Sequence, residues 1–153
     1  MLKKIKCRHC LNSLSSIVFD LGHQPLSNDY LSKTQLNSNE LYIPLKLFHC
    51  KKCGLIQIPE YKKPEEVFKS TYAYLSSTSS TMNNHAKNYV NNTINKIMLN
   101  QSSFVVELAS NDGYLLKHFV KKNIPCLGVE PTELSAKIAI KQKINTIIKF
   151  FGY

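Results

Sequence analysis

Arginine is nearly absent from this 153-residue chain: Arg8 is the only one, although lysine lifts the formal net charge to +10. Bidentate guanidinium recognition of bases or phosphate groups therefore has almost no carrier. The lysines stand singly or in pairs, as at Lys3-Lys4, Lys51-Lys52, Lys62-Lys63 and Lys121-Lys122. That spacing describes a solvated surface and disfavours nucleic acid as a partner. Long apolar runs are also missing: the best, 104–106 and 146–151, are too short or too interrupted to span a bilayer. The basic start runs into Cys7, Arg8 and His9 instead of an apolar stretch, so no secretory signal is read there. No membrane partner is expected, and a reducing cytoplasm fits a chain whose thiols are free to hold metal. A G-x-G-x-x-G phosphate loop is missing too.

What is present is organised around cysteine. Cys7-Arg8-His9-Cys10 and Cys50-Lys51-Lys52-Cys53 are two C-x2-C pairs. That spacing lets two thiolates converge on one ion while N–H groups of the turn face the sulfurs. Four thiolates fill the coordination of Zn²⁺ and leave no open position, so the expected site is structural and performs no chemistry. Arg8, Lys51 and Lys52 offset its negative charge. Gly54 relieves the second turn, while Leu11 holds the matching place in the first. Residues 11–49 must then form a hairpin or loop excursion. Four ordinary thiols, or a redox pair, are the weaker alternatives. His9 and His49 read as surface groups or neighbours of the ligands, and Cys126 as a small core residue.

The cysteines engage only the first third of the chain, which argues for more than one unit: a zinc-binding domain over 1–60, a connector over 61–101 and an α/β domain over 102–153. Ile17–Gly22 reads as a strand, His23–Asn28 as a loop around Pro25, and Leu55–Ile58 as a strand. Pro64 opens a short helix. Residues 79–99 form an amphipathic helix: Met82, Ala86, Tyr89, Val90, Thr93, Ile97 and Met98 recur at helical spacing, and Ser79 or Ser80 caps it. Then Phe104–Leu108 reads as a buried strand, Ala109–Gly113 as a turn and Tyr114–Val120 as a helix. Ile124–Glu130 is a second strand, 131–141 a second helix and Thr146–Phe150 a third strand. Alternation of this kind builds a parallel sheet.

An acid at a strand end, a turn of small residues and a helix start form a common cradle for a nucleotide-like cofactor. Here they are Glu107, Ala109-Ser110-Asn111-Asp112-Gly113 and the helix after them. One glycine in the turn disfavours a pyrophosphate, hence NAD or FAD. Glu130, at the end of the second strand, is placed to accept from two ribose hydroxyls. An adenosine with free ribose and no pyrophosphate points to S-adenosylmethionine. The plainer reading makes Glu107 and Glu130 ordinary strand-end acids, with Asp112 capping the helix.

The whole chain resembles the N-terminal part of the S-adenosylmethionine-dependent C-methyltransferases that act on nucleotide-linked deoxysugars. The segments that carry the resemblance are Cys7–Cys10, Asp20–Asn28, Tyr42–Leu45, Cys50–Gln57, Tyr72–Ser77, Val106–Gly113 and Gly128–Pro131. It implies zinc at Cys7, Cys10, Cys50 and Cys53. It implies cofactor contacts at Glu107, Ala109, Ser110, Asn111 and Gly113, with Glu130 on the ribose. Tyr72 and Tyr74 are expected to face the sugar cleft, with core packing as the equal alternative, and His85 is a further candidate whose plainer reading is a place at the border of the helix's apolar stripe. The implied reaction is proton abstraction alpha to a keto group, then attack of the enolate on the sulfonium methyl. Ala109 stands where glycine is commoner in such loops.

The fold class expected is therefore α/β: a small zinc-binding domain, then about three parallel strands, the first half of a Rossmann-like class I methyltransferase sheet. Such sheets have seven strands, and the family's catalytic base lies beyond the matching region. No catalytic residue is assigned, and the chain is expected to be a fragment, inactive or incomplete alone. Zinc and S-adenosylmethionine are the expected cofactors, the second bound weakly or not at all. A nucleotide-linked sugar and a second chain completing the sheet are the expected partners. The competing class is a non-enzymatic zinc module that binds nucleic acid or a protein.

Overall fold

The computed structural model describes residues 4–152 and divides into two compact units, Met1–Val67 and Phe68–Tyr153.

The first unit is an antiparallel sheet beside two cysteine turns. Strands β1 (Ser16–Pro25), β2 (Tyr42–His49) and β3 (Ile56–Gln57) lie in that order. A four-residue helix, α1 (Pro64–Val67), follows. β1 runs further than the sequence suggests: His23, Gln24 and Pro25 are paired with Pro44, Ile43 and Tyr42 instead of forming a loop. The reason is a bulge. Gly22 takes φ +71 and donates its N–H to Asp20 Oδ1 at 2.8 Å, which shifts the register between Asp20 and His23. The ladder then resumes, and Pro25 sits at the end of an edge strand, where a missing N–H is tolerated. Residues 11–49 thus form the expected hairpin. The packed interior is small: Cys7, Leu14, Phe48 and Cys50, with Ile5 and Cys10 against them.

In the second unit, α2 (Ser80–Ile97) precedes three parallel strands that alternate with helices. These are β4 (Val105–Leu108), α3 (Leu116–Val120), β5 (Cys126–Val129), α4 (Glu133–Lys141) and β6 (Thr146–Ile147). β5 lies in the middle, paired parallel with β4 on one side and β6 on the other. Ser79 caps α2 by accepting the Met82 N–H at 3.2 Å. Val90, Leu116, Phe119, Ile124, Cys126, Ala139 and Ile144 form the core. Cys126 is a core residue, as read. β6 stops at Ile147, two residues of the expected strand, because its pairing with β5 covers only Gly128 and Val129. No helix among the described residues is long and apolar enough to cross a membrane.

The apolar stripe of α2 serves two surfaces. Ala86 and Val90 are fully buried, whereas Met82, Tyr89 and Ile97 remain exposed. These exposed residues, with His85 and Thr93, line a groove whose other wall is Phe104–Leu108 and Tyr114. β4 is therefore not the fully buried strand its composition suggests. Val106 and Leu108 are about half exposed, and among the described residues β4 pairs with β5 alone.

Candidate metal centre and cofactor loop

Both cysteine pairs are built by the same backbone device. The Cys7 carbonyl accepts the Leu11 N–H at 3.0 Å, and the Cys50 carbonyl accepts the Gly54 N–H at 2.8 Å. Each turn is closed one residue later: the Cys7 N–H donates to Asn12 O, and the Cys50 N–H to Leu55 O. Leu11 and Gly54 occupy equivalent left-handed positions, φ +59 and +78. Leucine there is strained relative to glycine. Both residues reverse the chain below the sulfurs, leucine in the first turn and glycine in the second.

The four sulfurs lie within 4.8 Å of one another. Cys7 Sγ is 3.6 Å from Cys53 Sγ, and Cys10 Sγ is 3.5 Å from Cys50 Sγ. Ligands of a tetrahedral Zn²⁺ at Zn–S of about 2.3 Å stand about 3.8 Å apart, so the set fits this ion. The turn also prepares thiolate. The Cys10 N–H, with help from the Gln57 side chain and the His9 N–H, brings the Cys7 thiol down to about 6 against burial. The Cys53 N–H likewise lowers Cys50. Cys53 receives a lowering bond from the Leu55 N–H, yet burial and its three thiol neighbours push it up to about 12. Four thiols this close cannot all ionise without a cation among them. Gln57 is buried and donates to Cys7 Sγ at 3.1 Å, an outer contact that the sequence did not reveal.

In the second unit the loop between β4 and α3 has an alternating backbone: Ala109, Asn111 and Gly113 take φ +57, +50 and +79. Glycine suits position 113, where φ is left-handed and a Cβ would lie 2.3 Å from Ile144 Cδ1 and 3.2 Å from Ala139 Cβ. Gly128 on β5 makes room for Ser110, whose Oγ would be 2.5 Å from a Cβ at 128. Glu130 is buried and spans the loop. Its Oε2 accepts the Asn111 N–H at 2.8 Å, and its Oε1 accepts the N–H and hydroxyl of Thr132 at 2.8 and 2.5 Å.

Asp112 does not cap α3. That helix begins at Leu116 with Leu115 in the capping position and no side-chain cap. Asp112 Oδ2 instead accepts the Ser77 N–H at 3.0 Å, and Asn111 Oδ1 accepts the Ser76 N–H at 2.8 Å. Asn111 Nδ2 donates to Tyr74 O at 3.1 Å. The segment 74–77 is therefore docked on the loop by two adjacent side chains, across 35 residues of sequence. Nothing local in the sequence signals this contact.

Glu107 closes the site at the end of β4. Burial, then the charges of Glu130 and Asp112, raise its carboxyl to about 7. Glu107 Oε2, Ser110 Oγ and Asp112 Oδ1 are buried and lack a hydrogen-bond partner among the described residues. Three orphaned oxygens around one loop are unusual, and they fit a polar ligand whose donors would satisfy them. Of the other candidate residues, His85 lines the groove beside β4 with its ring stacked on Tyr89 at 6.5 Å. Tyr74 is about half exposed and close enough to help raise the Tyr114 phenol, behind burial and Glu107. Tyr72 packs edge-on against Phe68 at 5.2 Å and is not among the groove residues. The structure thus gathers Glu107, Tyr114 and His85 on one groove and leaves Tyr72 apart. Tyr114 carried no signal beyond its helical spacing.

Residues 7–68 match a family model described as "Putative zinc binding domain", one of the methyltransferase families. The chain is also 27% identical over 142 residues to the C-methyltransferase NovU of Streptomyces niveus. That alignment covers 93% of this chain and 34% of the relative, so the chain spans about a third of the relative's length. The family model thus returns the zinc-binding domain and the relative a C-methyltransferase, in keeping with the resemblance to the N-terminal part of the C-methyltransferases. The four-cysteine cluster and the family match together support zinc binding at the first unit.

Proposed function

We propose that this chain is the N-terminal part of a C-methyltransferase, contributing a structural zinc domain and the first strands of a Rossmann-like cofactor sheet. The substrate class is a nucleotide-linked keto-deoxysugar. The observation that carries the reading is the loop at 109–113, with its left-handed backbone and two orphaned buried oxygens beside a third on Glu107, in a chain aligned over most of its length with a C-methyltransferase.

Bound S-adenosylmethionine would supply an electrophilic methyl group. Glu107, Ala109, Ser110, Asn111, Gly113 and Glu130 are the residues that would hold it. Small residues at 109 and 110 allow close approach of a ligand to the backbone. Glu130 already spends three acceptor sites on Asn111 and Thr132, so a ribose hydroxyl would use the remaining site on Oε2. Tyr74 and His85 are the side chains best exposed to meet a sugar; Tyr72 would act by supporting its neighbour. A strand laid along the free edge of β4, from a second chain or from more of the same one, would cover Val106 and Leu108. It would also wall the pocket. Without it, the pocket stays open on that side and this chain binds the cofactor weakly.

The reading is tested by amide chemical-shift mapping of the zinc-loaded chain with millimolar S-adenosylhomocysteine. Shifts confined to residues 107–113 and to Glu130 and its neighbours are expected. Shifts elsewhere alone, or none at all, reject the cofactor site.

A further inference from the structure

The four cysteines of the first unit are unequal. Cys7 and Cys50 are fully buried, Cys10 is partly covered and Cys53 is exposed. Cys53 directly follows Lys51 and Lys52, both exposed as well. Exposure beside positive charge is the setting in which a thiolate reacts. Two close sulfur contacts cross from one turn to the other. Cys7 Sγ lies 3.6 Å from Cys53 Sγ, and Cys10 Sγ lies 3.5 Å from Cys50 Sγ. They span 46 and 40 residues of sequence. Within each turn the first sulfur accepts a backbone N–H from the second cysteine, Cys7 from Cys10 and Cys50 from Cys53. Cys126 belongs to the core of the second unit and is not part of the cluster.

We infer that Cys53 is a modification site for hydrogen peroxide, and that its oxidation joins it to Cys7 and then Cys10 to Cys50. A thiol that ligates zinc is deprotonated, so Cys53 in the loaded chain offers a thiolate. Its sulfur attacks one peroxide oxygen: an S–O bond forms, the O–O bond breaks, and the departing oxygen takes a proton and leaves as water. The Cys7 thiolate then attacks Cys53 Sγ. An S–S bond forms, the S–O bond breaks, and the second oxygen leaves with a second proton as water. The two sulfurs have given up two electrons and the peroxide has gained them. Two of the four ligands are then spent, so the metal is released. A second peroxide oxidises Cys10 and Cys50 in the same way. Closure within a C-x2-C pair competes less well, because the turn aims the first sulfur at a backbone N–H. The inference rests on the zinc reading of the first unit and on no part of the methyl-transfer reading.

The test starts from the zinc-loaded chain, its metal content measured, and adds hydrogen peroxide in steps while a chromogenic chelator reports released zinc. Samples are alkylated in denaturant, cut with trypsin and mapped by mass spectrometry without reduction. Arg8 separates Cys7 from Cys10, and Lys51 and Lys52 separate Cys50 from Cys53, so each cysteine falls on its own peptide. Zinc release is expected, with the Cys7–Cys53 bond forming ahead of Cys10–Cys50 at one equivalent of peroxide and both present at two. Histidine can replace a cysteine ligand, so Cys53→His and Cys10→His keep four donors. Cys53→His should release zinc several-fold more slowly than the wild type, and Cys10→His at a similar rate to it. Cys126→Ser should change nothing. Bonds within the turns as the main products would overturn the pairing. Release from Cys53→His as fast as from the wild type, or Cys10–Cys50 forming first, would overturn Cys53 as the point of attack. Retention of zinc, release with sulfinic acids and no disulfide, or protection by Cys126→Ser would overturn the site altogether. A chain that holds no zinc before peroxide is added would remove the metal reading, and this site with it.

Discussion

The two units stand on different foundations. The first has four buried apolar residues, two of them the cysteines Cys7 and Cys50. Ile17, Val18, Phe19 and Leu21 on its long strand are about half exposed. The second has a core of seven buried residues from three helices, a strand and the segments leading into β5 and β6, all supplied by side-chain packing. Small domains rarely stabilise themselves through a core of the first kind and depend on a metal or a disulfide. The first unit is therefore expected to fold with zinc, and the second by burial of apolar surface.

The largest expected effect follows directly. Zinc in small structural sites contributes on the order of 10 kcal/mol, more than the residual core of the first unit can replace. Chelation, or Cys50→Ser, should abolish the β-sheet signal of residues 16–57. The helical signal, which comes mainly from α2, α3 and α4, should stay. Circular dichroism and metal analysis on one sample check both. Persistence of the sheet without metal would erase the contrast.

Next in size is a pair of truncations. Leu116 is fully buried, and Leu116→Ala should cost about 2–5 kcal/mol in the second unit. Phe19 is 58% exposed, and Phe19→Ala should stay within about 0.5 kcal/mol. Denaturant midpoints of the zinc-loaded variants measure the two. Similar losses would mean that the apolar face of β1 is packed in solution.

A smaller effect is set by pH. The Glu107 carboxyl is raised to about 7 by burial and by Glu130 and Asp112. The unfolded chain ionises this group nearer its ordinary value of 4.5, so between 4.5 and 7 the folded state holds the extra proton. Stability therefore falls as pH rises through that window, and the penalty is complete above about 7. Glu107→Gln should leave the melting temperature unchanged near pH 4.5 and raise it by a few degrees at pH 8. A gain that does not vary with pH would mean that Glu107 is not the source.

The same contrast decides what could be read in advance. The zinc ligands were legible because two C-x2-C pairs leave little chemistry open. The alternation from 104 to 147 and the Ser79 cap were legible because each is a local pattern. The continuation of β1 through Pro25 was not, because the bulge at Gly22 restores a ladder that local composition argues against. The split stripe of α2 was also hidden, since periodicity marks apolar residues but does not say which of two surfaces each one meets. Least visible was the docking of Ser76 and Ser77 on Asn111 and Asp112, which depends on the tertiary path of a 35-residue separation.

The smallest effect tests whether local signals matter in the self-supporting unit. α2 is rich in asparagine, a weak helix former, and only Ala86 and Val90 are buried along its eighteen residues. Ser79 Oγ satisfies one of its orphan N–H groups. Asn83, one turn in, donates to the carbonyls of Ser77 and Ser79 at 2.6 and 2.9 Å and takes a bond from Lys117 Nζ on α3. The helix start is thus tied both by its cap and by tertiary contacts. Ser79→Ala should cost about 1 kcal/mol, the usual value for a lost cap, and Asn83→Ala should cost more, because it removes all three bonds. If Ser79→Ala were the costlier of the two, the helix would be held at its end by local capping, and packing against α3 would contribute little to its start.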